Sequence, residues 1–368
     1  MSDSAVSDQP SGHPKFSGRS DFQRELRRRI DAFFEQPGRR RRDSPQIYAK
    51  SILILALFFG LYVLLVFVAQ TWWQALPLAL LLGLVTAGIG LNIQHDGGHQ
   101  AASDRPWVNK LMAMTLDLIG GSSYVWRHRH NVLHHTYVNL TGHDTDVDIG
   151  ALGRVTPYQK RRWFHRWQHY YMWLLYGLMA IRWQLFGDYL NVIKGRIDNH
   201  PIPRPKGWEL VIFLGGKLMF LVLALGVPMI FHPWWVVLIF YGVVGMVTGV
   251  TLSVVFQLAH TVEEVNFIEP PESDEIDNAW AIHQVESTVD FARASRTAAW
   301  LLGGLNYQIE HHLFTRICHI NYPAISKIVE QTCHDFGVGY HEHRTFWSGV
   351  ASHFRWLRHM GLADEATT

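Results

Sequence analysis

Cysteine and charge are what this chain has least of. Among 368 residues there are two cysteines, Cys318 and Cys333, and they form no CxxC pair. A disulfide framework and a thiolate zinc site are therefore not expected, and a reducing compartment fits better. Charged residues make up 17% of the chain, below the roughly 25% of a typical soluble domain. The formal net charge is only +2, which gives no electrostatic footprint for nucleic acid, and no such partner is expected. Charge is also absent over long stretches: residues 51–70, 75–93 and 234–256 hold none, and 211–231 holds one lysine. A run of about 20 apolar residues makes a helix of about 30 Å, enough to cross the hydrocarbon core of a bilayer. Buried helices of a soluble protein keep a polar face, and these do not. The fold class that follows is all-α and integral to the membrane, with four transmembrane helices in two hairpins.

Tryptophan and histidine are what the chain has in abundance, 15 and 22 respectively. The short turns Thr71-Trp72-Trp73-Gln74 and His232-Pro233-Trp234-Trp235 carry tryptophan and neither Lys nor Arg, as interfacial anchors on the non-cytoplasmic side do. The basic residues lie at the opposite ends: Arg27 to Arg29, Arg39 to Arg42, and Lys160 to Arg162. The positive-inside rule then places both termini in the cytoplasm. The polar, arginine-rich start shows no secretory signal. Residues 1–45 read as a polar basic tail with an amphipathic helix near 21–35, residues 46–345 as the functional domain, and 346–368 as a C-terminal tail. The stretch 163–190 is apolar, but it carries His165, Arg166, His169, Arg182 and Asp188. It reads as one or two helices lying at the membrane interface.

The histidines cluster three times: His95-Asp96-Gly97-Gly98-His99, His130-Asn131-Val132-Leu133-His134-His135, and Gln308-Ile309-Glu310-His311-His312. Pairs four apart share one face of a helix. The topology puts all three clusters, and His260 one turn beyond the last span, on the same side, forming a helical cap over the spans. His95, His99, His130, His134, His135, His260, His311 and His312 are too many ligands for one ion and suit two. Nitrogen ligation without thiolate favours iron, copper or zinc over magnesium or calcium. The remaining histidines read as packing or hydrogen-bonding residues, with His128 pointing elsewhere on a helix than its neighbour His130. Asp144-Thr145-Asp146-Val147-Asp148-Ile149-Gly150 begins like a calcium loop, but its glycine falls one place late and Val155 stands at the twelfth position. Its carboxylates are better suited to orienting histidines.

These residues resemble the membrane fatty-acid desaturases, which carry three histidine boxes on a four-helix scaffold. HDGGH fits the first box, HNVLHH the second and QIEHH the third, with Trp126 ahead of the second box, His135 to Asn139 through it and Gly142-His143-Asp144 after it. QLAHTVEE, with His260, resembles the extra ligand region beyond the last span. Gln308, where most branches have histidine, resembles the front-end or linoleoyl-CoA desaturase branch, which inserts a double bond between an existing one and the carboxyl end. The resemblance implies two iron ions, O₂ as co-substrate, the eight histidines as iron ligands, and Gln308 as an essential box residue. It implies an acyl-CoA or membrane-lipid acyl chain as substrate, bound in a bent tunnel, with membrane lipids as surroundings. Many front-end enzymes carry a fused cytochrome b5 with an HPGG motif. Here His200-Pro201 and His232-Pro233 lack the glycines, so an external donor is expected: ferredoxin, or free cytochrome b5 with its reductase. Arg154 and Lys160 to Arg162 could dock such an acidic partner. The alternatives are a hydroxylase, ketolase or alkane monooxygenase using the same oxidant. More remote is a histidine-rich metal transporter or haem membrane protein, which would need histidines inside the spans.

Overall fold

The structure, a computed structural model, describes residues 14–147, 149–269 and 275–363. Four helices among them are long and apolar enough to cross a membrane: Pro45–Val68, Trp72–Gly98, Trp208–Phe231 and Trp234–His260. Their starts are set locally. Ser44 precedes Pro45 at the first helical position, Thr71 and Gln74 form a capping box, and Pro233 precedes the fourth helix. Ile52, Phe59, Leu84, Leu218 and Ile239 project outward and exposed, a surface suited to hydrocarbon and not to water. The two hairpin turns are neighbours: His232 Nε2 lies 2.7 Å from the Val66 carbonyl, and the rings of Phe67 and Phe231 meet edge-on at 5.0 Å. The turns therefore share one end of the bundle, and the histidine clusters gather at the other.

The second and fourth helices outrun the apolar stretches that predict them. The second passes through a π-helical turn, Ile89–Gln94, straight into His95–Gly98. Asn92 in that turn donates to the Gly88 and Leu301 carbonyls at 2.9 and 3.1 Å, so its amide N–H groups are satisfied internally. The fourth carries His260 as its last residue. Both histidines ride on the ends of rigid spans and not on following loops.

The stretch expected at the interface forms the helix Gln168–Arg182, a π-helical turn Trp183–Gly187 and the helix Asp188–Lys194. It lies along the fourth span, and close backbone approach explains why. A Cβ on Gly249 would sit 2.3 Å from the Gly177 carbonyl oxygen, so only glycine permits this contact. Met172, Tyr176 and Ala180 are buried on that side, while Tyr170 and Leu174 face outward.

The cap closes with both ends of the chain. Ser20 caps the helix Asp21–Phe34, accepting from the Gln23 N–H at 3.2 Å. Phe22, Leu26 and Ile30 recur every four residues, and this stripe packs on Ala281 and Val285 of the helix Trp280–Glu286 and on Ile325 and Val329 of the helix Tyr322–Phe336. The amphipathic helix anticipated near 21–35 is present, with its apolar face spent on protein. Strand Lys15–Ser17 pairs in parallel with Glu275–Ala279. The last described segment, expected as a tail, is the helix Phe346–Leu362, whose buried His353 lies 2.8 Å from the Tyr176 hydroxyl. Arg154 is completely buried, donating to the carbonyls of Pro157, Gln159, Met360 and Ala363 at 2.8–2.9 Å. It binds the C-terminal helix and is not available to dock an electron carrier, whereas Lys160 and Arg162 are exposed.

Candidate metal centre

Local backbone geometry aims each histidine. His95 opens the short helix His95–Gly98 and His99 ends it, with ring centroids 4.7 Å apart. A Cβ on Gly98 would stand 2.2 Å from the Trp126 ring, so the glycine admits the indole, which stacks on His130 at 4.7 Å. The second cluster lies in a π-helical stretch, Arg127–His134, followed by His135–Tyr137. The wider π turn brings residues five apart into register. His130 and His135 accordingly meet with Nε2 atoms 3.2 Å apart, and His134 stacks against His130 at 5.0 Å. In the helix Gln308–Leu313 the adjacent His311 and His312 diverge. His311 Nε2 approaches His135 Nε2 at 3.0 Å, while the ring of His312 lies 4.9 Å from those of His134 and His260.

All eight histidines are buried, and their nitrogens form overlapping groups. His95, His99, His130 and His311 make one, His134, His260 and His312 a second, and His135 joins His311 and His312, each with ligand atoms within 4.8 Å of one another. Nε2 of His99, His134, His260 and His312 has no hydrogen-bond partner among the described residues. Buried polar atoms are normally satisfied, so several orphans in one cluster mark a place for cations. Burial, reinforced by neighbouring imidazoles, holds His99, His135, His311 and His312 well below the usual histidine range. Neutral imidazoles carry the lone pair that a metal needs.

The far nitrogens are held. His130 Nδ1 lies 2.9 Å from Asp146, His134 Nδ1 3.1 Å from both oxygens of Asp144, His312 Nδ1 2.8 Å from Gln284 Oε1, and His311 Nδ1 3.2 Å from the Tyr322 hydroxyl. Burial alone would raise the Asp146 carboxyl, but His130 outweighs it and holds it at about 2. Such contacts fix the ring and its tautomer and strengthen the ligand. Two of the three acids of the Asp144 loop thus orient histidines, while Asp148 lies outside the described residues. Asp96, within the first box, turns away to His319 Nδ1 at 2.8 Å and Cys318 Sγ at 3.2 Å, tying that box to the turn after the third.

Sequence comparison decides what this arrangement belongs to. Residues 70–344 match the family described as fatty acid desaturase. The chain is 39% identical to an sn-1 linoleoyl-lipid 6-desaturase of Arthrospira platensis over 94% of both chains. It is 38% identical to a protein of the same name from Synechocystis, over 95% of this chain and 98% of that one. An acyl-lipid (8-3)-desaturase of Physcomitrium patens is 35% identical over 94% of this chain and 72% of its own. The chain belongs to the fatty acid desaturase family.

The desaturase has an apolar cavity of about 470 Å³ against the first histidine group, with His95, His130, His311 and Gln308 in its wall. Leu91, Met172, Val255 and Leu305 line it between the second span, the Gln168–Arg182 helix and the fourth span. Gln308 is buried and faces this space, one turn before His311 and His312. Glu310 points elsewhere, to the Tyr340 hydroxyl at 3.0 Å, and the same hydroxyl lies 2.6 Å from Asp290. His128 contacts the Tyr124 ring and joins no ligand group. The structure therefore brings together all eight histidines singled out in the sequence, with Gln308 in the adjoining wall. Gln284, Tyr322 and His319 were missed, because each acts from a remote segment through no motif of its own.

Proposed function

We propose that the eight histidines hold two iron ions and that this desaturase is a front-end enzyme acting on acyl chains of membrane lipids. The observation that carries the reading is an apolar cavity ending on His95, His130, His311 and Gln308. Its relatives named linoleoyl-lipid 6-desaturase and acyl-lipid (8-3)-desaturase support the lipid-borne substrate and the front-end position. His95, His99, His130 and His311 would hold one ion, and His134, His260 and His312 the other, with His135 between them. When bound, the iron pair supplies the redox chemistry that lets O₂ take hydrogen from an unactivated methylene. The reaction takes two hydrogens from adjacent methylenes. It reduces O₂ to two waters with two electrons and two protons delivered from outside.

The side chains divide the work. Asp144, Asp146, Gln284 and Tyr322 keep imidazole lone pairs aimed inward. The Trp126 indole and the apolar walls exclude water from the reacting carbons. Gln308 offers a neutral amide beside the ligands, able to donate or accept where histidine would bind metal outright. Tryptophan-rich turns at one end of the bundle and basic segments at the other support a cytoplasmic site and cytoplasmic termini. An external ferredoxin or cytochrome b5 would then approach from that side, with Lys160 and Arg162 exposed to meet it.

Expression in a host fed defined fatty acids tests this. Mapping new double bonds in intact lipids by mass spectrometry should show one between an existing double bond and the carboxyl end. A hydroxylated product without a new alkene would refute desaturation of that position. Purified protein should hold two iron equivalents, and two of zinc from iron-replete cells would overturn the metal assignment.

A further inference from the structure

The third span carries one charged residue in its interior, Lys217, and the metal chemistry makes no use of it. Lys217 is 2% exposed. Its ammonium donates to Asp188 at 2.8 Å, to the Gly120 carbonyl at 2.7 Å and to the Trp183 carbonyl at 3.0 Å. Next to it, the Gln184 side-chain amide donates to the Ile119 carbonyl at 3.0 Å and accepts from the Tyr241 hydroxyl at 2.8 Å. Five polar contacts thus bind the 116–121 segment, residues 183–188 and the third and fourth spans into one knot. A buried ion pair costs desolvation and is a weak source of stability, and ionisable residues at membrane depth are more often functional.

Two cavities lie on either side of this knot. The catalytic one reaches Leu116, Gly121, Trp183 and Asp188. A second, of about 670 Å³, lies among the spans, opens on their outer face and reaches Leu118, Ile119, Gln184, Phe220 and Tyr241. Neighbouring residues of the same two segments therefore face opposite cavities: Leu116 against Leu118 and Ile119, and Trp183 against Gln184. Both spaces are lined mainly by apolar side chains, as a hydrocarbon tail requires, and the hydrogen-bonded knot stands between them.

We propose that the wall formed by Gln184, Tyr241, Lys217 and Asp188 is the end-stop of the acyl tunnel, limiting how much chain fits beyond the reacting carbons. The occupant held back is the methyl end of the substrate's own acyl chain. The inference rests on the acyl-desaturase reading above and adds the residues that set chain length.

The test feeds equal amounts of 18- and 20-carbon polyunsaturated acids to cells expressing the wild type, Gln184→Ala and Tyr241→Phe, and reads the ratio of conversions. This ratio is internal to each sample and does not depend on how much enzyme folds. Each methylene newly buried is worth about fourfold. Gln184→Ala, which opens the wall, should raise the 20-to-18 ratio by about fourfold to 15-fold, one methylene setting the lower end and two the upper. Tyr241→Phe, which only frees Gln184, should move it the same way by less. The double bond should stay at the same distance from the carboxyl, because only the far end of the tunnel changes. An unchanged ratio in both variants overturns the proposal, as does a shifted double bond. If Gln184→Ala does not accumulate, Tyr241→Phe decides. A wild type that makes no new double bond refutes the desaturase reading instead, which keeps the two failures apart.

Discussion

Asp146 and Asp144 do the same service for neighbouring histidines under different structural loads, and their removal should separate metal affinity from stability. Asp146 makes one such contact, 2.9 Å to His130 Nδ1, with Arg129 at 4.0 Å. Asp144 accepts from His134 Nδ1 at 3.1 Å and also from the backbone N–H of Asn139 at 2.9 Å and of Asp146 at 3.0 Å. A carboxylate behind a ligating histidine contributes about 10- to 100-fold in metal affinity. Asp146→Ala should therefore weaken iron binding by about that factor, equivalent to about 1.4–2.7 kcal/mol, with little change in Tm. Asp146→Asn keeps an oxygen to accept from Nδ1 and should lose less. Asp144→Ala removes the same support and also orphans one buried and one half-buried backbone donor, the buried one costing about 1–3 kcal/mol. It should lose metal and lower Tm together. The assay is Co(II) titration of purified apo-protein in detergent, followed optically, beside tryptophan-fluorescence melts of each variant. Wild-type affinity in Asp146→Ala, or equal destabilisation by both alanines, would refute the reasoning.

His260→Ala should halve the metal bound and abolish turnover while the protein still inserts, since it removes one of three imidazoles from the second group; two retained equivalents would contradict the grouping. Gly98→Ala forces a methyl to within 2.2 Å of the Trp126 ring. It should cost about 1–3 kcal/mol and most of the activity, and the smaller Trp126→Leu beside it should recover part of the lost Tm. Burial and the neighbouring Asp290 raise the Glu310 pKa well above its ordinary 4.5. A raised acid pKa means stability present at low pH and lost as pH climbs through the folded-state value. Glu310→Gln has no proton to lose, so its Tm should gain on the wild type as pH rises above the ordinary carboxylate range; parallel pH profiles would argue against a raised Glu310 pKa.

The sequence exposed those parts of the design that physics writes locally. A bilayer demands unbroken apolar runs, so the four spans were readable to within a few residues. Repeated histidines stand out in a sequence, so the eight that the fold gathers were readable too. What the sequence left unexplained arises where the backbone departs from the regular α-helix or where a partner comes from far away. Helical spacing pairs His130 with His134, but the π turn adds His135 to the same interior, which no i, i+4 rule predicts. Gln284 and Tyr322 reach the third box from separate helices, and each is an ordinary residue until the fold brings it there. Arg154 looked like a surface cation because its carbonyl partners lie at Pro157, Gln159, Met360 and Ala363. The seat of the Gln168–Arg182 helix on the fourth span was not readable, because it depends on Gly177 and Gly249, two glycines 72 positions apart.

The packing of the Asp21–Phe34 helix has a consequence for the order in which the enzyme is built. Its stripe rests on the helix that supplies Gln284 and on the one that begins with Tyr322, the two residues behind His312 and His311. The strand before it pairs with the segment leading into the first of those helices. The earliest described residues of the chain thus buttress its last box, and they have nothing to rest on until about residue 336 has been made. The spans and the first two boxes can be laid into the membrane during synthesis. The third box therefore lacks its full buttress until beginning and end meet.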